Sequence, residues 1–345
     1  RGSVLGCGPG GYVDMDEGLF GTRDKRGHYV PNAHLKIAPL YPPRWRETLA
    51  WLPSYFLPWN VVFAASALAY WVWIIPPIET MQTLSLDWIL RLYVINVIAV
   101  ALFYGTFEAR LYWARAQEDR FKFNPRFPGD MKSRQFWFRS QNIENALRTF
   151  LFGVTIWTLS AAVMLWAYAN SWGNWLGFDE APIYLAIVAL FVSFLHQAHF
   201  YAIHRLIHLP WLYKHVHSIH HKSVNPSPWS SLAMHPFEHV LYFASVFYHV
   251  LLPSHPLIAL YQLHKAGFGA IPGHIGFEKL EMGDDKAIDA HAYGHYLHHK
   301  YFEVNYGDGL VPFDKLFGTY HDGSEEAEIA MRQRLKRLRT GAAPY

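Results

Sequence analysis

The sequence predicts an all-α integral membrane protein with four transmembrane helices, a re-entrant or interfacial helical hairpin and a histidine-rich region. Three observations support this fold class. Hydrophobic residues make up 52% of the 345 residues, and the 14 Trp and 21 Tyr suit the membrane interface, where amphipathic rings settle. Four apolar stretches have about the length of a membrane span. Three histidine clusters follow the fourth stretch.

Each apolar stretch approaches the roughly 20 helical residues that cross about 30 Å of hydrocarbon. The stretches run from about Leu52 to Ile75, Trp88 to Gly105, Thr149 to Ala169 and Pro182 to Tyr201. Helical patterning continues past the fourth stretch as far as Pro210. At about 1.5 Å per residue this helix is roughly 40 Å long, so we expect its last turns to leave the membrane.

The connecting loops predict the orientation. Segments 76–87 and 172–182 contain no Lys or Arg, whereas the loop 107–148 contains nine. Because positively charged loops tend to stay in the cytoplasm, we expect this basic loop, the N-terminus and the histidine-rich region to be cytosolic. The net charge of +3 is small and the basic residues form no groove interleaved with aromatic residues, so a nucleic-acid partner is not expected.

Four segments follow from these patterns. Residues 1–48 lack the apolar core of a signal peptide and are interpreted as a cytosolic N-terminal arm. Residues 49–201 hold the transmembrane helices, 202–322 form the histidine-rich catalytic region and 323–345 form a C-terminal tail. Within the catalytic region, the apolar segment 237–271 is interrupted by Pro253-Ser254-His255-Pro256. Each limb of about fifteen residues is short for a span, which favours the hairpin.

The three histidine clusters share helical spacing. They are His204-Arg-Leu-Ile-His208, His217-Ser-Ile-His220-His221 and His295-Tyr-Leu-His298-His299. Residues three or four apart lie on one helix face, so each cluster directs its imidazoles to one side. Neutral imidazole suits iron, zinc and copper, and eight histidines are too many for one tetrahedral zinc. The pattern therefore predicts two neighbouring metal ions, because burying so many imidazoles without a common partner is costly.

Together with nearby motifs, the clusters resemble the fatty acid hydroxylase and sterol desaturase superfamily. The similarity extends over roughly 191–322 and includes His235-Pro236-Phe237-Glu238, His274-Ile275-Gly276 and Asn305-Tyr306-Gly307. The resemblance implies a four-helix membrane anchor under a cytosolic helical cap that holds two iron ions. Carried over by motif, the expected metal ligands are His204, His208, His217, His220, His221, His235, His274, His295, His298 and His299. The acidic residue that often precedes the first cluster in the family is missing here.

The resemblance further implies an O2-dependent oxidoreductase that hydroxylates or desaturates a lipid. Sterol-like, fatty acyl, sphingoid and ornithine lipids are all compatible substrates, and the sequence does not separate the two reactions. Cys7 is the single cysteine, and the chain has neither a CxxCH haem motif nor a dinucleotide fingerprint. We therefore expect electrons from an external donor of the cytochrome b5 or ferredoxin type.

Two other classes of protein compete with this interpretation. A zinc-dependent membrane hydrolase would activate water on its metal, but the HExxH motif typical of such enzymes is absent. A bis-histidine haem carrier is the other alternative. Zinc in purified protein would not exclude the oxidoreductase, because zinc can replace iron among imidazoles. The carboxylates Glu238, Glu278, Asp284 and Asp285 are interpreted as capping or solvated groups rather than ligands.

Overall fold

The computed structural model describes residues 16–32, 38–283 and 286–340, which are mostly helical. Asp284, Asp285 and part of the predicted N-terminal arm lie outside these residues. Among the described residues, three helices are long and apolar enough to cross a membrane, Leu86–Trp113, Gln141–Ala169 and Pro182–Ile207. A bent pair of helices, Trp45–Phe56 and Trp59–Trp73, raises the number of spans to four if it is counted as one. Numbered in chain order, this pair is the first span and Pro182–Ile207 is the fourth.

The first apolar stretch is therefore broken rather than continuous. Helix Trp45–Phe56 ends before Leu57, whose backbone is extended, and the following helix is inclined to it by 44°. A residue that precedes proline disfavours the α conformation, and proline has no N–H group to continue the helical hydrogen bonds. The bend between the two helices follows from Pro58.

The third span begins earlier than the apolar pattern predicts. Its helix starts at Gln141, where the Ser140 hydroxyl caps the N-terminus by accepting from the Ile143 N–H. The end of the predicted basic loop is thus helical. This span and the second each contain a π-helical turn, Thr149–Val154 and Ala109–Trp113.

The rest of the basic loop packs against the catalytic region. Lys122 is fully buried, and its Nζ donates to the Asn124 carbonyl at 2.8 Å and to the Asn225 side chain at 3.3 Å. Gln141 donates to the Asn225 carbonyl at 2.8 Å, and Arg120 forms an ion pair with Glu281 at 2.8 Å. The basic loop and the histidine-rich region consequently lie on the same side of the bundle.

The apolar segment 237–271 has two limbs, but the first is interrupted. Helices Pro236–Phe243 and Tyr248–Leu251 are joined by the 3-10 turn Ala244–Phe247, and the second limb is the helix Pro256–His274. The second limb packs closely on the third span, because a Cβ atom at Gly267 would lie 2.3 Å from the Trp157 ring. This contact holds the limb inside the bundle.

Two short antiparallel strand pairs differ from the expectation that the chain is entirely helical. Strand Gly21–Arg23 pairs with Tyr29–Pro31, and Lys279–Gly283 pairs with Lys286–Asp289, both antiparallel. The predicted C-terminal tail forms the helix Glu325–Thr340, with acidic residues in its first turn as the helix dipole favours. Shorter helices, 3-10 turns and a π-turn complete the chain: Glu17–Leu19, Ile78–Met81, Pro128–Asp130, Trp137–Arg139, Pro210–Leu212, Tyr213–His217, Ser218–His221, Pro228–Leu232, Tyr293–Tyr301 and Phe313–Leu316.

Candidate metal centre

Nine of the ten predicted ligands gather in two groups. Group one contains His204, His208, His217, His221 and His298, and group two contains His220, His274, His295 and His299. Within each group, one ring nitrogen from every member lies within 4.8 Å of those of the others. All nine side chains are buried except that of His208, which is half-buried.

Adjacent histidines in the second and third sequence clusters belong to different groups. His220 and His221 diverge in this way, and so do His298 and His299. Consecutive residues on a helix of about 3.6 residues per turn point roughly 100° apart, so one short helix can serve both groups. The end of the fourth span supplies the first cluster, and the end of the Pro256–His274 helix supplies His274.

The distances between ring nitrogens are those of ligands around a common ion. In group one, the Nε2 atom of His221 lies 3.0 Å from that of His217 and 3.1 Å from that of His298. In group two, the Nε2 atom of His274 lies 3.1 Å from that of His220 and 2.9 Å from that of His295. Nitrogens about 2.0–2.1 Å from one ion are about 2.9 Å apart at a right angle and about 3.3 Å apart at a tetrahedral angle.

Hydrogen bonds at the other ring nitrogen identify the tautomer. Nδ1 of His204 lies 2.8 Å from the Tyr306 carbonyl oxygen, and Nδ1 of His298 lies 2.6 Å from that of Val304. A carbonyl oxygen only accepts, so each Nδ1 carries the proton and each Nε2 directs a lone pair into the group. Lone pairs about 3 Å apart repel each other unless a cation lies between them. The residues therefore fit a metal ion.

Burial keeps the imidazoles neutral, which is the form that binds metals. Desolvation, reinforced by His204 and Arg205, lowers the pKa of His208 to about 2. Desolvation and the surrounding histidines hold the pKa values of His217 and His298 well below their ordinary value. These rings consequently present lone pairs rather than protons at neutral pH.

Glu238 supports group one from outside. Its carboxyl group is buried, and Oε1 lies 2.7 Å from the Nδ1 atom of His217. Burial raises the pKa of Glu238, and a dication on the Nε2 atom of His217 would favour the ionised carboxylate. Glu238 is therefore buried rather than solvated. Its carboxyl group also interacts with the backbone N–H of His235, the N-cap residue of its helix, as expected of a capping residue. Its position three residues after His235 was the signal available in the sequence.

A loop that follows the third cluster supplies the Val304 and Tyr306 carbonyl groups that bond to His298 and His204. The Asp314 carboxylate accepts from the N–H groups of Tyr306 and Gly307, both at 2.9 Å, and from the Thr319 hydroxyl at 2.6 Å. Asp314 thereby fixes the segment whose carbonyl at Tyr306 orients His204. This role of Asp314 as a positioning residue was not predicted from the sequence.

The structure places His235 outside both groups. Its Nδ1 atom accepts from the Phe237 N–H at 3.1 Å and caps the helix Pro236–Phe243. That arrangement directs the ring toward its own backbone, while Glu238, in the first turn of the same helix, faces His217.

A cavity of about 230 Å³ reaches both groups. Its wall includes two members of group one, His204 and His217, and three members of group two, His220, His274 and His295. Aromatic and aliphatic side chains form its apolar part: Trp59, Phe63, Phe200, Ile203 and Val311. Such a lining suits an apolar molecule that extends toward the histidines.

Comparison with protein families agrees with this geometry. Residues 189–319, which contain all nine grouped histidines, match the family model described as fatty acid hydroxylase. This region of the chain is similar to the fatty acid hydroxylase and sterol desaturase superfamily. The apolar helices and the histidine groups are consistent with a membrane-bound oxidoreductase of that superfamily.

Curated proteins with similar sequences include fungal sterol desaturases. A Delta(7)-sterol 5(6)-desaturase of Gibberella zeae is 32% identical over 153 residues, which are 43% of this chain and 39% of that protein. One from Aspergillus fumigatus is 35% identical over 156 residues, 43% of this chain and 42% of that protein, so the chain spans about two fifths of each. A second Aspergillus fumigatus enzyme is 27% identical over 282 residues, 73% of this chain and 81% of that protein. No solved structure matches the chain.

Proposed function

We propose that this protein is a membrane-bound, O2-dependent oxidoreductase that hydroxylates or desaturates a lipid at a centre of two iron ions. The observation that carries the proposal is the convergence of neutral imidazole nitrogens into two groups beside one apolar cavity. A lipid that enters this cavity would bring a C–H bond next to both groups.

The nine grouped histidines are the proposed iron ligands, five for one ion and four for the other. When bound there, iron supplies the redox chemistry that cleaves dioxygen and removes hydrogen from an unactivated C–H bond, which zinc lacks. His235 is not included, because its ring caps a helix.

The chain itself orients the ligands and excludes water. The Tyr306 and Val304 carbonyls hold the protons of His204 and His298 at Nδ1, and Glu238 does so for His217. The apolar wall restricts the lipid to poses in which one segment faces the histidines, and such positioning lowers the barrier to reaction. Water is displaced from the same surface.

Sterol-like lipids are the favoured substrates. The named relatives are sterol desaturases, and the cavity combines an apolar lining with access to the histidines. Each turnover consumes dioxygen, two electrons and two protons, and the electrons are assigned to a cytochrome b5-like or ferredoxin-type donor. Packing of the basic loop on the histidine-rich region supports a cytosolic active site, because basic loops favour the cytosol.

Untargeted lipidomics tests the proposal. Cells that produce the wild-type chain should contain a lipid with one added oxygen atom or two fewer hydrogen atoms, and cells that produce His298→Ala should not. Purified wild-type protein, supplied with iron, should bind two ions per chain. Iron-loaded protein without any lipid change, or one zinc ion with a hydrolysed lipid, would contradict the oxidoreductase.

A further inference from the structure

Two opposite charges, Lys265 and Asp308, line the cavity. Lys265 lies nine residues before His274 on the same helix, a separation of about 13 Å along the helix axis. Asp308 lies in the loop just after Gly307. Both side chains line the cavity.

These two side chains interact through space without touching. Asp308 is the charge that acts on Lys265, and Lys265 is the opposite charge that acts on Asp308. Among the described residues, no direct ion pair joins them, and the Nζ atom of Lys265 lies over the Phe63 ring, 5.7 Å from its centre. Both residues line the cavity; Lys265 is half-buried and Asp308 is exposed.

The charge of Lys265 is costly in its position. Lys265 lies beside Phe63 of the first span, in the part of the bundle built by the apolar helices, and Trp59 and Val311 line the cavity with it. Ionisable residues within membrane bundles are expensive and usually face a functional cavity. The cost is offset where a polar group of a ligand completes the hydrogen bonds of both charges.

We propose that Lys265 and Asp308 together bind a hydroxyl group at the polar end of the lipid substrate, a proposal that rests on the proposed function. A hydroxyl group accepts from the ammonium and donates to the carboxylate at once. A lipid carboxylate or phosphate would be attracted by Lys265 but repelled by Asp308, and an amine the reverse. The pair therefore selects a neutral lipid alcohol over a free fatty acid.

Two glycines lie in the cavity wall between Lys265 and His274. Gly269 and Gly273 line it without side chains; a Cβ at Gly269 would lie 3.2 Å from the Phe63 ring, and one at Gly273 would lie 3.7 Å from His295. An alcohol held at Lys265 is kept away from the metal ligands, while the apolar remainder reaches them. Lys265 and Asp308 are thus specificity residues, separate from the oxidation itself.

The test is equilibrium binding to the purified full-length protein in lipid nanodiscs. Cholesterol is compared with cholestane, which lacks the hydroxyl, and hexadecanol is compared with hexadecane. We expect at least one alcohol to bind wild-type protein roughly tenfold or more tightly than its hydrocarbon. Lys265→Met and Asp308→Asn should each reduce that ratio severalfold while hydrocarbon affinity and iron content remain unchanged.

Matched controls separate recognition from folding and from catalysis. Lys279→Met removes a lysine that pairs with Asp289 outside the cavity and should preserve the ratio. Asp308→Asn should strengthen the binding of palmitic acid, and Lys265→Met should weaken it. Equal binding of alcohols and hydrocarbons to wild-type protein, or unchanged ratios in both variants, would overturn the proposal. Failure of the proposed function would instead appear as absent lipid oxidation with intact alcohol recognition.

Discussion

The two histidine groups differ in how the chain holds their rings. In group one, His204, His217 and His298 bond through Nδ1 to a carbonyl or a carboxylate from elsewhere in the chain. In group two, His274 bonds to the Ala270 carbonyl of its own helix, and Nδ1 of His299 has no partner among the described residues. The Nδ1 atoms of His208 and His221 in group one also have no partner among the described residues, so the greater orientation of group one rests on its other three rings.

The groups also differ in their contact with the cavity. Three of the four histidines of group two line it, compared with two of the five in group one. Catalytic metal sites commonly use fewer protein ligands than structural ones and leave a position open. On the proposed function, we therefore expect group one to retain its ion tightly and group two to be the more accessible to substrate.

Loss of a ligand should have the most severe effect. His298→Ala should remove the ion of group one and His299→Ala that of group two, and either change should lower lipid oxidation by at least about 100-fold. Iron per chain, measured by mass spectrometry of metals, should fall in both. His249→Ala, which removes a buried histidine bonded to Ser254 outside both groups, is the control. Full activity with unchanged iron would show that these residues are not ligands.

Removal of the carboxylate partner should act on one group alone. Glu238→Ala leaves the Nδ1 proton of His217 without its acceptor, so iron affinity at group one should fall about 10- to 100-fold. Glu238→Gln keeps an accepting oxygen and should lose less. Competition titrations with a ferrous chelator measure both affinities. An equal loss from both groups would contradict the assignment of Glu238 to group one.

Chelation of wild-type protein should distinguish the groups without mutation. Fewer Nδ1 hydrogen bonds to distant segments of the chain orient the rings of group two than those of group one. The ion of group two should therefore leave first, with roughly a tenfold difference in release rate. Stopped-flow absorbance of the iron–chelator complex should then show two phases. His299→Ala should abolish the fast phase, whereas loss of the slow phase would reverse the ranking of the groups.

Acid should destabilise the metal-free protein, and His208 should account for part of the loss. The pKa of His208 is lowered by burial to about 2 in the folded chain, while the unfolded chain binds a proton near pH 6.5. Below pH 6.5 the unfolded state thus holds the extra proton, and stability falls by about 1.4 kcal/mol per pH unit for this group. His208→Gln should reduce the drop in thermal midpoint between pH 8 and pH 5.5. A thermal midpoint that rises as the pH falls would contradict the predicted loss of stability in acid.

Local sequence patterns determined the helices and the ligand types. Apolar length predicted the spans Leu86–Trp113, Gln141–Ala169 and Pro182–Ile207, although not the early start at Gln141, which depends on a cap rather than on hydrophobicity. The spacing of the histidine clusters predicted that the rings of each cluster share a helix face, because helical rotation is a local property. Eight of the proposed ligands could be named in this way, and the ninth, His274, came from the resemblance to the family.

Contacts between distant segments decided the rest. His235 and Glu238 lie at the start of one short helix. Only the packing of that helix against His217 shows that the Glu238 carboxylate, not the His235 imidazole, faces the histidine groups. The cavity that brings Lys265 near Asp308 likewise joins residues 43 positions apart. Periodicity along the chain specifies which side chains share a face, whereas the three-dimensional packing of those faces specifies which side chains meet.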